Sequence, residues 1–255
     1  MATELFRNDD HIVVIFTDLV KGEGIQANQL LIKNGHHSAL FDPGGELTYM
    51  PLNIAIRRYQ PINELDYVIA THQDPDIISS MNKWLLYSEA KIIISKLWQR
   101  FLPHLVPGFM ESKGNGRIIP IPDQGMTIEL GQAKILALPA HFLHSVGNFH
   151  FYDPVSKILF SGDVGASLVD SEPERPVQDF ERHIQKMLGF HQRYMVSNKV
   201  CRLWVNMVRG LDIEMILPQH GRPFQGREMI TKFLNWFENL ECGIDRVSQQ
   251  YYQIP

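Results

Sequence analysis

The first half of the chain reads mostly as strands. His11–Leu19 (HIVVIFTDL) is apolar and β-branched, and Gln29–Gly45 (QLLIKNGHHSALFDPGG) predicts two short strands about the turn Asn34-Gly35. Tyr67–His72 (YVIATH) predicts a buried strand. Ile77–Glu89 (IISSMNKWLLYSE) then spaces Ile78, Met81, Trp84, Leu85 and Tyr87 as a helix does. A strand KIIIS and a short helix KLWQRFLPHL, ended near Pro103, come next. Strands return at RIIPI, MTIEL and AKILALPAH, then as the pair NFHFYD and KILFSGD around Pro154-Val155-Ser156. From Pro176 to Gly210 the spacing is helical, with amphipathic segments VQDFERHIQKMLGFHQRYM and NKVCRLWVNMVR. A last strand, EMILPQH, precedes the terminal helix GREMITKFLNWFENLEC. Hairpins mixed with strand–helix units argue against an all-parallel sheet. They predict an α/β protein of two mixed sheets packed face to face with helices outside.

Composition narrows the class. With 255 residues, 44% of them hydrophobic, the chain can bury a large core, and no linker-like stretch divides it. One domain over residues 1–255 is expected. The formal net charge of −4 argues against a nucleic-acid partner. Cys201 and Cys242 are the only cysteines, which makes neither a disulfide framework nor a zinc ribbon and fits a reducing compartment. The N-terminus has no signal-peptide pattern, and no apolar run reaches the roughly 18 residues of a spanning helix. A cytoplasmic protein without a membrane partner is the expectation.

The chemistry sits at strand ends. His72, Asp74 and Asp76 follow YVIAT, His144 follows AKILALPAHFL, Asp163 follows KILFSG, and His220 follows EMILPQ. Strand ends on one sheet edge converge in space, so these six residues can share a site. Three imidazoles and three carboxylates without a thiolate suit iron, manganese or zinc. Three carboxylates and a bridging hydroxide neutralise two divalent ions, and oxidising both leaves only a double positive charge. That balance favours iron. His36, His37, His104, His150, His183 and His191 have no place in the pattern and are read as surface or packing residues.

The motif H-x-[ED]-x-D, a distant His, the Asp of SGD and the late HG resemble the metallo-β-lactamase superfamily over nearly the whole chain, with DPGG (Asp42–Gly45) similar to its early turn. The resemblance implies a four-layer αβ/βα sandwich. HQDPD, with a carboxylate at the third position and proline between the acids, is similar to the flavodiiron branch. By that resemblance His72, Asp74 and His144 hold one metal, Asp76 and His220 the other, and Asp163 bridges them. The implied cofactor is two iron ions with a bridging hydroxide or oxo group. His141 is read as a hydrogen-bonding residue beside the site.

Ile77 departs from the family pattern, which has a histidine there. An isoleucine cannot coordinate, so the second metal would keep an open coordination position beside an apolar wall, where dioxygen can bind. The flavodiiron reductases carry a flavodoxin-like domain, which this sequence is not expected to contain, nor FMN with it. Two ferrous ions supply two electrons, whereas reducing dioxygen to water takes four, so a stable diferric-peroxo adduct is implied. The chain thus resembles the stand-alone oxygen-binding diiron proteins that partner bacterial chemoreceptors. The expected function is an oxygen sensor whose partners are dioxygen and a chemoreceptor or other signalling protein, with a homodimer consistent with the family. Two alternatives stay open: an O2 or NO reductase fed by a separate donor, and a dizinc hydrolase. Other features carry plainer expectations. Tyr251 and Tyr252 follow a terminal helix read as packing on its own domain, Cys201 as buried, and Ser145 as having no base partner. The loop ESKGNGRIIP (Glu111–Pro120) either covers the metal mouth or merely connects elements.

Overall fold

Strand β2 (His11–Phe16) sets the pattern of the molecule, because both of its faces are apolar. Val13 and Ile15 point to one core, and Val14 and Phe16 to another. A strand buried on both faces needs no polar alternation, so HIVVIF has a single polar residue, at its start. A computed structural model of the chain describes residues 1–105, 116–169 and 171–255.

The first sheet has seven strands in sequence order: β1 (Ala2–Arg7), β2, β3 (Gln29–Asn34), β4 (His37–Phe41), β5 (Tyr67–Ile69), β6 (Lys91–Ser95) and β7 (Ile118–Ile121). β1 to β4 form an antiparallel meander, and β4 to β7 are parallel. The second sheet is ordered β13-β12-β11-β10-β9-β8. Its strands are β8 (Met126–Leu130), β9 (Ala133–Pro139), β10 (Phe149–Asp153), β11 (Ile158–Phe160), β12 (Met215–Leu217) and β13 (Phe224–Gln225). Among the described residues of this sheet, only β11 and β12 pair in parallel. Both sheets are therefore mixed, as the sequence predicts.

Between the sheets lies a core of Ile15, Leu30, Phe41, Ile69, Phe151 and Phe160 among others. Phe41 reaches Phe151 across the gap, with ring centroids 5.1 Å apart. On the outer face of the first sheet pack α1 (Glu46–Ile56), α2 (Pro75–Ile78) and α3 (Met81–Tyr87). On the outer face of the second sheet pack α5 (Phe180–Tyr194), α6 (Asn198–Val208) and α7 (Arg227–Glu238). Burying each large apolar side chain contributes about 1.5–3 kcal/mol, so three such cores supply the main driving force. The result is the four-layer α/β sandwich with outer helices. Cys201 is buried, and α7 packs Ile230, Phe233, Leu234 and Phe237 onto its own sheet, leaving Tyr251 and Tyr252 exposed.

Two expected helices differ from the sequence reading. The segment Ile77–Glu89 is split into α2 and α3, because the Ser80 N–H and hydroxyl both turn to the Gly44 carbonyl instead of continuing the helical ladder. Pro103 does not end its helix. It sits in the first turn of α4 (Leu102–Leu105), where a missing N–H is harmless. Residues 111–115 of the Gly-containing loop fall outside the described residues. Among the described residues, no helix is long and apolar enough to cross a membrane.

Candidate metal centre

Three strands deliver their ligands by the same device. His72 follows β5 (ending at Ile69), Asp163 follows β11 (ending at Phe160) and His220 follows β12 (ending at Leu217), each at the same offset. β11 and β12 pair in register, Phe160 opposite Leu217, so Asp163 and His220 emerge side by side. Gly221 makes the exit after His220 possible: its φ is +81°, and any Cβ there would run into Ser167. From the first sheet, Pro75 starts α2 directly after Asp74 and places Asp76 in the same turn. His144 comes from the loop between β9 and β10, whose residues Phe142 and His144 hold φ of +67° and +79°. Positive φ at a non-glycine residue is strained, and such strain is concentrated at functional sites.

All six candidate ligands meet. His144 Nε2 is 2.7 Å from Asp74 Oδ2, and His72 Nε2 is 3.6 Å from the same oxygen. His220 Nε2 lies 3.3 Å from Asp76 Oδ2. Asp163 stands between the two groups. Its Oδ2 faces His144 Nε2 at 3.5 Å and His72 Nε2 at 3.8 Å, while its Oδ1 faces His220 Nε2 at 3.6 Å. One carboxylate thus turns one oxygen to each side. The ligand atoms of His72, Asp74, His144 and Asp163 lie within 4.8 Å of one another.

The donor set fits metal ions. Atoms each about 2.1 Å from one ion sit about 3.0–3.4 Å apart, and the separations above bracket that range. His72 Nε2 and Asp163 Oδ1 are buried without a hydrogen-bond partner, an arrangement that costs stability unless something fills the gap. The protons answer in the same way. Burial opposes charge on His220, but Asp76 and Asp163 hold its proton so firmly that it is raised to about 9. Burial likewise works against the charge of Asp74, yet His144 and His72 bring its carboxyl far below the usual range. Without an ion, the protons that the aspartates hold on His220 and His72 offset part of the carboxylate charge; an ion would displace those protons.

Residues around the ligands fix their orientation. The Thr71 N–H and hydroxyl donate to Asp42 at 2.8 and 2.9 Å, and the hydroxyl oxygen lies 2.9 Å from His72 Nδ1. A hydroxyl that donates to Asp42 accepts from Nδ1–H, which leaves Nε2 as the ligand atom. His220 Nδ1 is tied to the Gln26 carbonyl at 2.6 Å with the same effect. Sequence reasoning missed Thr71, Gln26 and the role of Asp42. The DPGG turn was the available signal, since Asp42 directly follows β4. His141 lies elsewhere on the loop: its Nε2 donates to the Asp123 carbonyl at 2.8 Å, and its ring packs edge-on against Phe149.

Above the ligands opens a cleft of about 500 Å3. Val20, Ile25, Leu47, Phe190 and Tyr194 make its apolar sides, and Asp74, Asp76, His144, Asp163 and His220 line it too. The Ile77 side chain does not line this cleft. It is fully buried among Leu52, Val68 and Trp84 in the core under α1 to α3, so the apolar wall comes from other residues. Position 77 still offers no ligand. His36, His37 and His104 are exposed, whereas His150, His183 and His191 are buried in the second half.

A family model described as ODP family beta lactamase matches residues 25–221. The chain is 39% identical to a structure of the peroxy diiron species of chemotaxis sensor ODP, with a TM-score of 0.85, covering 96% of this chain and 97% of that one. It is 40% identical to the apo state of chemotaxis sensor ODP from T. denticola, with the same TM-score and coverage. At 17% identity it shares the fold of rubredoxin oxygen:oxidoreductase from Desulfovibrio gigas, with a TM-score of 0.77 over 93% of this chain and 61% of that one. An uncharacterised protein of Methanocaldococcus jannaschii is 26% identical over 225 residues, 85% of this chain and 54% of that protein. The chain spans about half the length of this curated relative.

Proposed function

This chain belongs to the ODP beta-lactamase family, and from that premise we propose that it is a diiron oxygen sensor that signals through a chemoreceptor or another signalling protein of the cytoplasm. His72, Asp74 and His144 would hold one iron, Asp76 and His220 the other, with Asp163 shared. When bound, the irons supply Lewis acidity and two electrons for dioxygen. The protein's own residues do the rest. Thr71 and the Gln26 carbonyl keep the protons of His72 and His220 on Nδ1, so that Nε2 of each faces the centre. Asp163 presents one oxygen to each ligand group. Val20, Ile25, Leu47 and Phe190 give a small neutral ligand an apolar approach.

The observation that carries the reading is the uneven ligand count. Among the described residues, Asp163 has His72, Asp74 and His144 on one side but only Asp76 and His220 on the other, with Ile77 turned into the core. A side with fewer protein ligands is where an exogenous ligand binds. Likeness to the peroxy diiron species of chemotaxis sensor ODP supports the same choice.

The test is anaerobic loading with two ferrous ions per chain, followed by air while the visible spectrum is recorded. A persistent coloured band with two irons per chain is the expected outcome. Rapid bleaching, with steady gas consumption restored by a reductant, would instead make the protein an O2 or NO reductase. Uptake of zinc but not iron would make it a hydrolase.

A further inference from the structure

Gln73 separates two ligands in sequence and joins two ligands in space. Its Nε2 donates to Asp74 Oδ1 at 3.3 Å, and its Oε1 accepts from the Ser145 hydroxyl at 2.5 Å. Ser145 is buried and directly follows His144. The direction of this chain of hydrogen bonds is fixed at one end. An ionised carboxylate only accepts, so the amide must turn its nitrogen to Asp74 and its oxygen to Ser145, and Ser145 must donate. The Ser145 hydroxyl is thereby occupied, which accounts for a serine beside a ligand with no base to activate it.

The geometry divides the two oxygens of Asp74. Oδ2 faces His144 and His72, whereas Oδ1 is taken by Gln73. We propose that Gln73 is a positioning residue: it selects the Asp74 oxygen that faces the metal and, through Ser145, braces the first-sheet ligands against the loop that carries His144. The inference rests on the metal reading of the site. That loop needs a brace, because Phe142 and His144 both sit in the left-handed region that side chains disfavour. Its other ties include Asn148 Nδ2 to the Leu143 carbonyl at 2.6 Å, His141 Nε2 to the Asp123 carbonyl at 2.8 Å, and the Val196 N–H to the Phe142 carbonyl at 3.2 Å. Where the loop enters β10, the Phe149 N–H crosses to the Thr71 carbonyl at 3.0 Å, and the bond from Ser145 to Gln73 adds a side-chain tie beside His144 that reaches the opposite sheet's ligands without using a ligand atom.

The test compares wild type with Gln73→Ala, Ser145→Ala, the double variant and Ser145→Thr. Each is titrated anaerobically with Fe2+ against a chelator, and with Co2+ as a probe whose visible band reports ligand geometry. Thermal unfolding of the metal-free proteins is recorded alongside. Both single alanine variants are expected to lose about 10–100-fold in metal affinity, as partners of metal ligands commonly do, and to shift the cobalt band. The double variant should lose no more than Gln73→Ala, because both act through one chain of bonds. Ser145→Thr, which keeps the hydroxyl, should restore most of the loss, and metal-free unfolding should change little throughout. Wild-type affinity and band in Gln73→Ala, or additive losses in the double variant, would overturn the positioning role alone. A wild-type chain that takes up neither ion overturns the metal reading and this inference with it.

Discussion

At one end of the core between the sheets, His11 meets Asp153; at the other, His72, His144 and His220 meet three aspartates. His11 opens β2, which runs parallel to β4, and β4 ends toward Asp42 and the metal centre, so the two clusters occupy opposite ends. The His11 pair is complete. Nε2 lies 2.8 Å from Asp153 Oδ2, Nδ1 lies 3.1 Å from Asn34 Oδ1, and Asp153 also accepts from the Ser156 N–H and hydroxyl. The other cluster leaves His72 Nε2 and Asp163 Oδ1 unpartnered. The same residue types, buried in the same interface, serve as a structural staple where every polar atom is matched and as a binding site where some are not. What marks the functional end is the unfinished accounting rather than the composition.

The sharpest way to break the comparison is Asp163→Ala. Both sides of the centre lose an oxygen, so metal content should drop from two ions per chain to at most one, with metal-free unfolding not lowered. Elemental analysis that still finds two ions would remove the bridging role. At the opposite end, Asp153→Ala leaves His11 and Ser156 without their buried partner and should lower the unfolding free energy by roughly 3–5 kcal/mol. Folded protein should still load two ions, and a loss within the error of a denaturant titration would mean that the staple is idle.

Thr71→Val isolates orientation from ligation. It removes the hydroxyl between Asp42 and His72, and ferrous affinity should weaken about 10–100-fold in a chelator competition. Unchanged affinity would show that His72 needs no help in choosing its ligand atom. The smallest effect is a pH slope. Burial draws the His11 pKa down, but the bonds to Asp153 more than reverse this, so it ends above its ordinary value. A raised folded value means that the staple's contribution is complete below the unfolded value of about 6.5. It is lost as pH rises through the folded value. Metal-free unfolding free energy should therefore decline across that alkaline range, and Asp153→Asn should remove the His11 share of the decline while leaving the share that His220, raised to about 9, contributes.

How legible each part was follows from its physics. The six candidate ligands stood out in the sequence because they come soon after apolar strands, three of them, His72, Asp163 and His220, at one common offset, and strand ends on one edge converge. β2 was readable because its apolar run is nearly continuous, and β9 because Ala133, Ile135 and Ala137 are buried at alternate positions. Strand β1 was not: it lies at the sheet edge with no fully buried residue, so no apolar pattern marks it. Helix α1 was hidden by a different cause. It buries Tyr49, Leu52 and Ile56 but also exposes Leu47, Met50 and Ile54, and it contains Pro51, so neither face stands out. Ile77 offers no ligand atom by its chemistry, but its direction depended on how α2 turns, which local sequence does not encode. Gln73 and Thr71 were missed because hydrogen bonds between side chains depend on folded distances and leave no periodic trace.

Because the ligands are divided between the sheets, with His72, Asp74 and Asp76 from one and His144, Asp163 and His220 from the other, a loaded centre acts as a rivet on the seam between them. His11 and Asp153 already rivet the far end. A plate fastened at both ends can neither scissor nor slide, so the work done when a ligand arrives is not absorbed by rotation of one sheet over the other. The seam is joined to the outer helices by the left-handed turn at Phe142 to His144, whose Phe142 carbonyl accepts from the Val196 N–H just past the end of α5. In mechanical terms the sheets are the frame and that turn is the coupling.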